Sequence, residues 1–491
     1  MRDIIFTFFN YFVFFYTSML AIFFVTFAFL SFISLKRRKD YYVESYMRKT
    51  IKESPYTPGI SVIAPAFNEE KTIIDNVNSM LALEYPLFEV VIVNDGSTDS
   101  TLEKMTEYYE LVEVPYAYIE RIKTRPFRRL LKSSNPKYSR LIVVDKENGG
   151  TKADASNAGI NVASHPYFIC TDVDCILEKY ALYRCISPII SSEKQVIAVS
   201  GTMLMANGCV VKDGQIIDVR TPRTPIPLFQ NLEYMRSYLI GKMGWSAING
   251  MPNVSGGFGL FHRSVAIAAG GYDAPSFAED MDLITRMVGY MCDFSRPYKI
   301  IQIPDTCCWT EGPPNLAMLY RQRTRWARGL FQTLNIHRKM IFKKPYKQMG
   351  MLTLPYMFVF EFLAPIIELV GLIVFIYLAF TGAVNWNTAW MIYLTIYTFC
   401  QFLSIVVITY DYNVGMLYKR GYEYLWIIIA SILEPIFYHP IITFCSLIGY
   451  LSYLTNRDFK WRNMERKGFK QKEESADGTD ITAMKPEPAT I

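Results

Sequence analysis

The sequence predicts an α/β protein: a soluble domain on a mostly parallel sheet, with α-helical transmembrane segments at both ends. Three observations predict it. Residues 4–35 contain no charged side chain and are long enough to cross a bilayer. Three more apolar blocks, about 352–380, 386–409 and 425–454, follow late in the chain. Between these and the first run, strand-like and helix-like patterns alternate, which implies parallel strands covered by helices.

Composition agrees with this division. The 491 residues are 51% hydrophobic, 15% aromatic and only 20% charged, a balance typical of membrane proteins. The first run lacks the short apolar region and small-residue cleavage site of a signal peptide, so it reads as a permanent anchor. Lys36, Arg37, Arg38 and Lys39 follow it directly, and positive charge on that flank places the next domain in the cytoplasm. The expected organisation is an anchor with its basic flank (1–49), a cytoplasmic domain (50–345), C-terminal transmembrane helices (346–456) and a basic, then disordered, cytoplasmic tail (457–491). The net charge of +6 fits a membrane-facing protein, and no motif for nucleic acid interrupts the pattern. Nine cysteines include no C-x-x-C pair, and His165, His262, His337 and His439 are scattered. That argues against a zinc site and for reduced thiols.

Within the soluble domain, "ISVIAPAF" (60–67) reads as a buried strand followed by a helical pattern over 70–83. "FEVVIVNDGSTDST" is a second strand running into a turn, with Ser97, Thr98 and Asp99 as candidate helix caps. "RLIVVD" (140–145) leads to a helix near Lys152, and "PYFICTD" is a fourth strand. In such sheets ligands bind beyond the carboxyl ends of the strands. Three of these strands end in Asn68 and Glu69, in Asn94 and Asp95, and in Asp172-x-Asp174. Each has a plain alternative: "NDGSTD" is also a good turn and cap, and Asp172 and Asp174 also suit the start of a helix. What favours a site is their recurrence at successive strand ends. Two hard oxygen ligands are what a divalent metal, Mg or Mn, needs to hold a diphosphate. An ATPase is disfavoured: "ENGGTKADASNAG" (147–159) lacks the phosphate-loop spacing, and no G-x-G-x-x-G follows the first strand.

Taken in order, "PAFNEE", "VNDGSTD", "ENGGTKADASNAG", "TDVD", "SFAEDMD" and "QRTRW" resemble the motifs of membrane-embedded members of glycosyltransferase family 2. Poly-N-acetylglucosamine, hyaluronan, cellulose and chitin synthases belong to that group. The resemblance runs from about residue 60 to 338 and more loosely through the membrane blocks. It implies a nucleotide-sugar-binding, GT-A-like glycosyltransferase domain. It also implies site residues: Glu69, Asp95, Lys152 and Asp154 for the nucleotide sugar, Asp172 and Asp174 for the metal, and Asp280 as general base. Gln322, Arg325 and Trp326 match the motif that holds the leaving diphosphate and the acceptor end. The implied reaction is a single inverting displacement giving a β-linked product. The implied partners are a UDP-sugar donor (UDP-N-acetylglucosamine by the nearest branch), a growing glycan or lipid-linked acceptor, and the lipid bilayer, with room for an accessory export subunit. The gating loop of cellulose synthases is not found.

The residues themselves support parts of this. A helix over 315–339 sets Gln322, Arg325 and Trp326 at i, i+3 and i+4, hence on one face. Arginine forks to phosphate oxygens and indole stacks on sugar rings. The alternative is a basic amphipathic helix lying on the membrane, which Arg321, Arg323, Arg325 and Arg328 also suit. Glu279 and Asp280 begin a helical pattern, where carboxylates are common as first-turn charges. The basic stretch 121–140 reads as lying on the surface against headgroups. Glu361, Glu368, Glu434 and His439, within or beside apolar blocks, either line a sugar path or pair with cations at the membrane surface. Three functions stay open: a processive polysaccharide synthase, transfer of one sugar to a lipid carrier, and a scaffold with a decayed transferase domain.

The last block poses a topological conflict. Crossing once would leave the basic residues after 456 outside, against the charge rule. Pro435 and Pro440 lie near its middle, and proline breaks or kinks a helix. The sequence therefore predicts a bend between them and a return to the cytoplasmic side.

Overall fold

The computed structural model describes residues 2–41, 44–116, 119–173, 175–212, 214–414 and 417–455. Asp174 and the basic tail beyond 455 lie outside the described residues.

The chain forms strands β1 (Ile60–Ala66), β2 (Phe88–Asp95), β3 (Leu111–Glu113), β4 (Phe127–Ser133), β5 (Leu141–Lys146), β6 (Tyr167–Thr171), β7 (Ile176–Leu177), β8 (Gln195–Met205), β9 (Val210–Lys212), β10 (Gln215–Asp218), β11 (Phe258–His262) and β12 (Tyr298–Thr310). Ten of them make one sheet in the order β3-β4-β5-β2-β1-β6-β11-β8-β12-β7, while β9 and β10 form a separate hairpin. At its centre β5, β2, β1 and β6 are parallel. β8 and β12 run the same way, and the antiparallel β4, β11 and β7 interrupt or border them. The central strands are apolar throughout because both faces are covered. Ile63, Val91 and Val93 point into one core, and Val62, Val90 and Ile92 into the other. The first core continues through Leu232, Met235 and Trp245 to Phe27 and Tyr438 on membrane-type helices. Sheet and membrane helices therefore share one apolar interior.

The parallel register places the expected polar strand ends side by side: Ala66 faces Asn94, and Asp95 faces Lys146. The loops beyond are knitted together. Asn68, held at φ 57°, takes the Thr98 N–H at 2.8 Å and donates its own N–H to the Ser97 hydroxyl at 3.1 Å. Ser97 and Thr98 thus brace the β1 loop. The Thr101–Tyr108 helix instead has Ser100 at its N-cap position, with Asp99 accepting the Thr101 N–H at 3.0 Å. Asp172 caps no helix, since β7 follows it. The basic stretch is built into the sheet as β4, and Arg129 pairs with Asp145 at 3.1 Å.

Among the described residues, four helices are long and apolar enough to cross a membrane: Tyr11–Arg37, Met349–Phe380, Trp386–Tyr412 and Gly421–Leu454. The last corrects the expected bend and return. Gly421–Leu454 is one helix of 34 residues with Pro435 and Pro440 inside it. Proline at 435 cannot supply the N–H that would bond the Ser431 carbonyl. Gln401 on the Trp386–Val414 helix donates its side-chain amide to that carbonyl at 2.7 Å. A neighbouring helix thus satisfies the freed group, and the helix runs on.

This helix lies against the Pro225–Arg236 and Leu316–Ile336 helices of the soluble body along its length. Near its start, the buried Glu423 accepts from the Thr221 N–H at 3.0 Å and from Arg223 at 2.9 Å. Midway, Glu434 pairs with Arg236 at 2.8 Å. Near its end, Asn335 donates to the Tyr453 hydroxyl at 3.2 Å. Of the other charges expected in apolar blocks, Glu368 pairs with His439 at 3.1 Å and takes the Thr443 hydroxyl at 2.6 Å. The Tyr450 hydroxyl reaches the backbone carbonyl of Glu361 at 3.3 Å.

Contact is closest at Gly449, where a Cβ would come within 2.7 Å of Ala327 Cβ and of the Thr324 carbonyl oxygen. Gly449→Val is expected to force the two helices apart, at a cost of about 1–3 kcal/mol. Thermal unfolding in detergent checks this, with Gly371→Val as the control, because a Cβ there meets nothing within 4 Å.

Candidate active site

The site begins where β2 and β5 end. Lys146, the last residue of β5, has a side chain with no exposed surface. Its ammonium donates to Asp95 at 2.7 Å, to Asp154 at 2.6 Å and to the Glu147 carbonyl at 2.6 Å. Three donors meet three acceptors, which is what allows a lysine to be buried. The arrangement joins β2, β5 and the helix Lys152–Val162, whose N-cap Thr151 accepts the Asp154 N–H. Asp95 also accepts the Gly149 N–H at 3.0 Å, and Asp154 accepts the Arg125 N–H at 3.1 Å. The sequence reading missed Lys146. Its signal was present, because it is the polar residue ending the third parallel strand.

A second lysine extends the cluster. Lys152 reaches Asp172, just past β6, at 2.6 Å and the Gly256 carbonyl at 2.6 Å. Burial works against its charge, but the Asp172 carboxylate, supported by Cys170 and Glu279, raises its pKa. Gly256 in turn donates its N–H to Asp280 at 3.1 Å. The other Asp280 oxygen accepts the Met281 N–H at 2.9 Å. Asp280 therefore does serve as a first-turn charge of the Glu279–Asp293 helix, while the Gly256 loop fixes its orientation. Burial raises the pKa of the neighbouring Glu279 carboxyl; Arg325 and Lys152 pull it down, and Asp280 pushes it up. At the start of the β1 loop, Glu69 donates its N–H to Thr101 at 2.8 Å and accepts the Thr72 hydroxyl at 3.1 Å.

The helix Leu316–Ile336, capped by Asn315, brings up the remaining expected residues. Gln322 accepts the side-chain amide of Gln230 at 2.9 Å. The ring of Trp326 packs under the guanidinium of Arg323, centred 4.5 Å away. Arg323, which the sequence placed with the surface arginines, is buried. It forks onto Glu233 at 2.7 and 2.5 Å and donates to the Tyr438 hydroxyl at 2.8 Å. Arg328 stacks on Phe277 at 4.0 Å. Two of the four arginines thus face protein, which a helix lying only on lipid does not require. Gly329 lets the helix approach the loop before Glu279 and Asp280, since a Cβ there would stand 2.6 Å from Ala278 Cβ. Gln332 holds the same loop, accepting the Phe277 N–H at 2.9 Å and donating to the Pro275 carbonyl at 3.1 Å.

A divalent metal fits this edge by donor chemistry. Asp172 is a hard carboxylate at a strand end with its side chain 38% exposed. Among the described residues no group of three or more metal-ligating side chains forms a closed cage. Magnesium and similar ions held by one or two carboxylates and substrate phosphates need none.

Lys146→Met would leave Asp95 and Asp154 facing each other without their shared cation. Removing one partner of a buried charge cluster costs about 3–5 kcal/mol. The expected outcome is a large fall in the thermal midpoint, measured beside Lys152→Met, whose more exposed pair leaves a smaller fall.

Residues 61–203 match the family model described as Glycosyl transferase family 2, and residues 227–410 match Glycosyl transferase family group 2. The chain is 25% identical over 393 residues to a poly-β-1,6-N-acetyl-D-glucosamine synthase of Staphylococcus epidermidis, covering 77% of this chain and 83% of the relative. It is 29% identical over 278 residues to the synthase of that name from Staphylococcus aureus strain COL, covering 56% of this chain and 55% of the relative. Among solved structures it is similar to a mannosyltransferase from Pyrobaculum calidifontis in complex with GDP-mannose and Mn2+, with 17% identity and a TM-score of 0.47 over 90% of this chain and 99% of that one. With both glycosyltransferase models matched in succession along one mostly parallel sheet and the membrane-type helices beside it, the chain is a glycosyltransferase of family 2.

Proposed function

We propose that this glycosyltransferase uses a UDP-sugar, UDP-N-acetylglucosamine, to extend a β-linked polysaccharide from a cytoplasmic active site. The single observation that carries the reading is the Lys152 junction. One ammonium bridges Asp172 and the Gly256 carbonyl, and the Gly256 N–H holds Asp280. The donor-side carboxylate and the acceptor-side carboxylate are thereby set in one frame. The donor identity is drawn from the relatives named poly-β-1,6-N-acetyl-D-glucosamine synthase.

In this reading Asp95, Lys152 and Asp154, with Glu69 at the rim, form the nucleotide-sugar cradle. Asp172, together with Asp174, would hold the divalent metal, which when bound offsets charge on the diphosphate. Arg325 approaches that diphosphate from the Leu316–Ile336 helix, and a guanidinium suits paired phosphate oxygens. Gln322 and Trp326 lie on the same helix toward the acceptor end. Asp280 removes the proton from an acceptor hydroxyl, whose oxygen bonds to the anomeric carbon as the bond to UDP breaks. Attack from the opposite face inverts the anomeric centre. The backbone N–H groups of Gly256 and Met281 keep the base aimed. The packing of the last membrane-type helix on the Arg325 helix supports an acceptor end near the bilayer, which suits passage of the product outward.

Membranes carrying the protein, supplied with different labelled UDP-sugars, test this reading. The expected result is high-molecular-weight product from UDP-N-acetylglucosamine that a β-1,6-N-acetylglucosaminidase digests. Label confined to a lipid extract would replace polymer extension with single transfer to a carrier, and no incorporation from any donor would sink both. Chelation with EDTA is expected to abolish transfer, and Mg2+ or Mn2+ to restore it. Asp280→Asn is expected to lower kcat at least about a hundredfold while UDP affinity stays near the unsubstituted value, because the base contacts acceptor and not nucleotide. Near-normal turnover would remove Asp280 from that role.

A further inference from the structure

The Pro225–Arg236 helix does not end at Arg236. It continues through a π-helical turn, Ser237–Lys242, into Met243–Ala247. The extra residue of a π turn rotates the downstream segment by about 100° relative to an uninterrupted α-helix, and such turns are concentrated at functional sites. Here Tyr238 and Lys242, four residues apart, both turn into the protein, with 4% and 7% of their surface exposed. The Lys242 ammonium lies 4.6 Å from the centre of the Tyr238 ring. Tyr238 belongs to the same apolar core as Phe258 and Met203, and the Met203 sulfur takes the Ser255 hydroxyl at 3.9 Å, next to the Gly256 that holds Asp280. The π turn and the Gly256 loop are thus tied to one core.

Among the described residues Lys242 has no hydrogen-bond or ion-pair partner. This sets it apart from Lys146 and Lys152, whose donors are engaged. Burial lowers its pKa to about 8, and the Asp280 carboxylate acts in the opposite direction. The stem is buried while the ammonium tip keeps some accessible surface, so its unused donors are open to acceptor oxygens that arrive from elsewhere. Asp280 is the carboxylate whose field reaches it, whereas Asp172 answers to Lys152, and Asp95 and Asp154 to Lys146. Oxygens that complete Lys242 would come from a ligand on the Asp280 side of the site.

We infer that Lys242 is an acceptor-binding residue. Its ammonium donates to hydroxyl and acetamido oxygens of the terminal sugar and presents the attacking hydroxyl to Asp280. The inference rests on the proposed polymer extension and names the side chain that would recognise the acceptor.

The test uses the full-length protein in detergent, with UDP-N-acetylglucosamine as donor and a β-1,6-linked N-acetylglucosamine oligosaccharide as acceptor. Lys242→Met keeps the volume and removes the charge. It is expected to raise KM for the oligosaccharide about 10- to 100-fold, the range for hydrogen bonds from a charged group. KM for UDP-N-acetylglucosamine and the Kd for UDP are expected to stay within about twofold. Lys242→Arg is expected to recover part of the acceptor affinity. The thermal midpoint of Lys242→Met is expected to equal or exceed that of the unsubstituted protein, since an apolar isostere relieves a buried charge. An unchanged acceptor KM, equal losses for donor and acceptor, or a marked fall in the midpoint would each overturn the assignment. An unsubstituted protein inactive with every UDP-sugar would instead sink the functional reading beneath it.

Discussion

The Lys146 ammonium, buried between Asp95 and Asp154, is the interaction on which the rest of the site depends. Parallel strands deliver their polar ends to one edge of a sheet, and those ends lie too close to the core for water to solvate them. Lys146 resolves this by offering each of its three protons to a different acceptor. In doing so it fixes the distance between the end of β2 and the start of the Lys152–Val162 helix. The placement of Lys152, and through it Asp172 and Gly256, depends on that joint. Short polar contacts join Asp95 and Asp154 through Lys146, and join Asp172 to Asp280 through Lys152 and Gly256, while the backbone of the Lys152–Val162 helix links the two sets.

The membrane-type helices are part of this architecture and more than an anchor beside it. Arg323, on the same helix as Arg325 and Trp326, is held by Glu233 and by Tyr438 from the last long helix. Gly449 lets that last helix approach the Leu316–Ile336 helix to van der Waals contact, and Gly329 lets the other side of it approach the loop before Glu279. On the far flank, Phe27 of the first helix packs on Trp245, 4.7 Å between ring centres, just past the π turn that carries Lys242. A shift of either membrane helix would move side chains that line the catalytic edge. Packed interiors transmit such shifts because they hold few voids.

The two lysines at the edge and the third on the π turn differ in one respect that has chemical meaning. Lys146 and Lys152 are neutralised by carboxylates of the protein itself. Lys242 is buried beside an aromatic ring on a helix that also touches the membrane portion, and it has no such partner among the described residues. Buried charge of the first kind rigidifies a site; the second kind, under the proposal above, is completed by a bound ligand.

The sequence by itself determined what local pattern can determine. Continuous apolar strands ending in Asp95 and Asp172, the i, i+3, i+4 face of Gln322, Arg325 and Trp326, and four long apolar runs are all visible within a few residues of chain. They were legible because periodicity is a short-range rule. Tertiary structure decided the rest. Lys146 and Arg323 look like surface charges until their carboxylate partners, 51 and 90 positions away for Asp95 and Glu233, arrive from other elements. The last helix looks broken at Pro435 until Gln401 supplies the missing donor from the neighbouring helix. In each case a polar group in an apolar interior must find a partner, and only the folded chain brings that partner within reach.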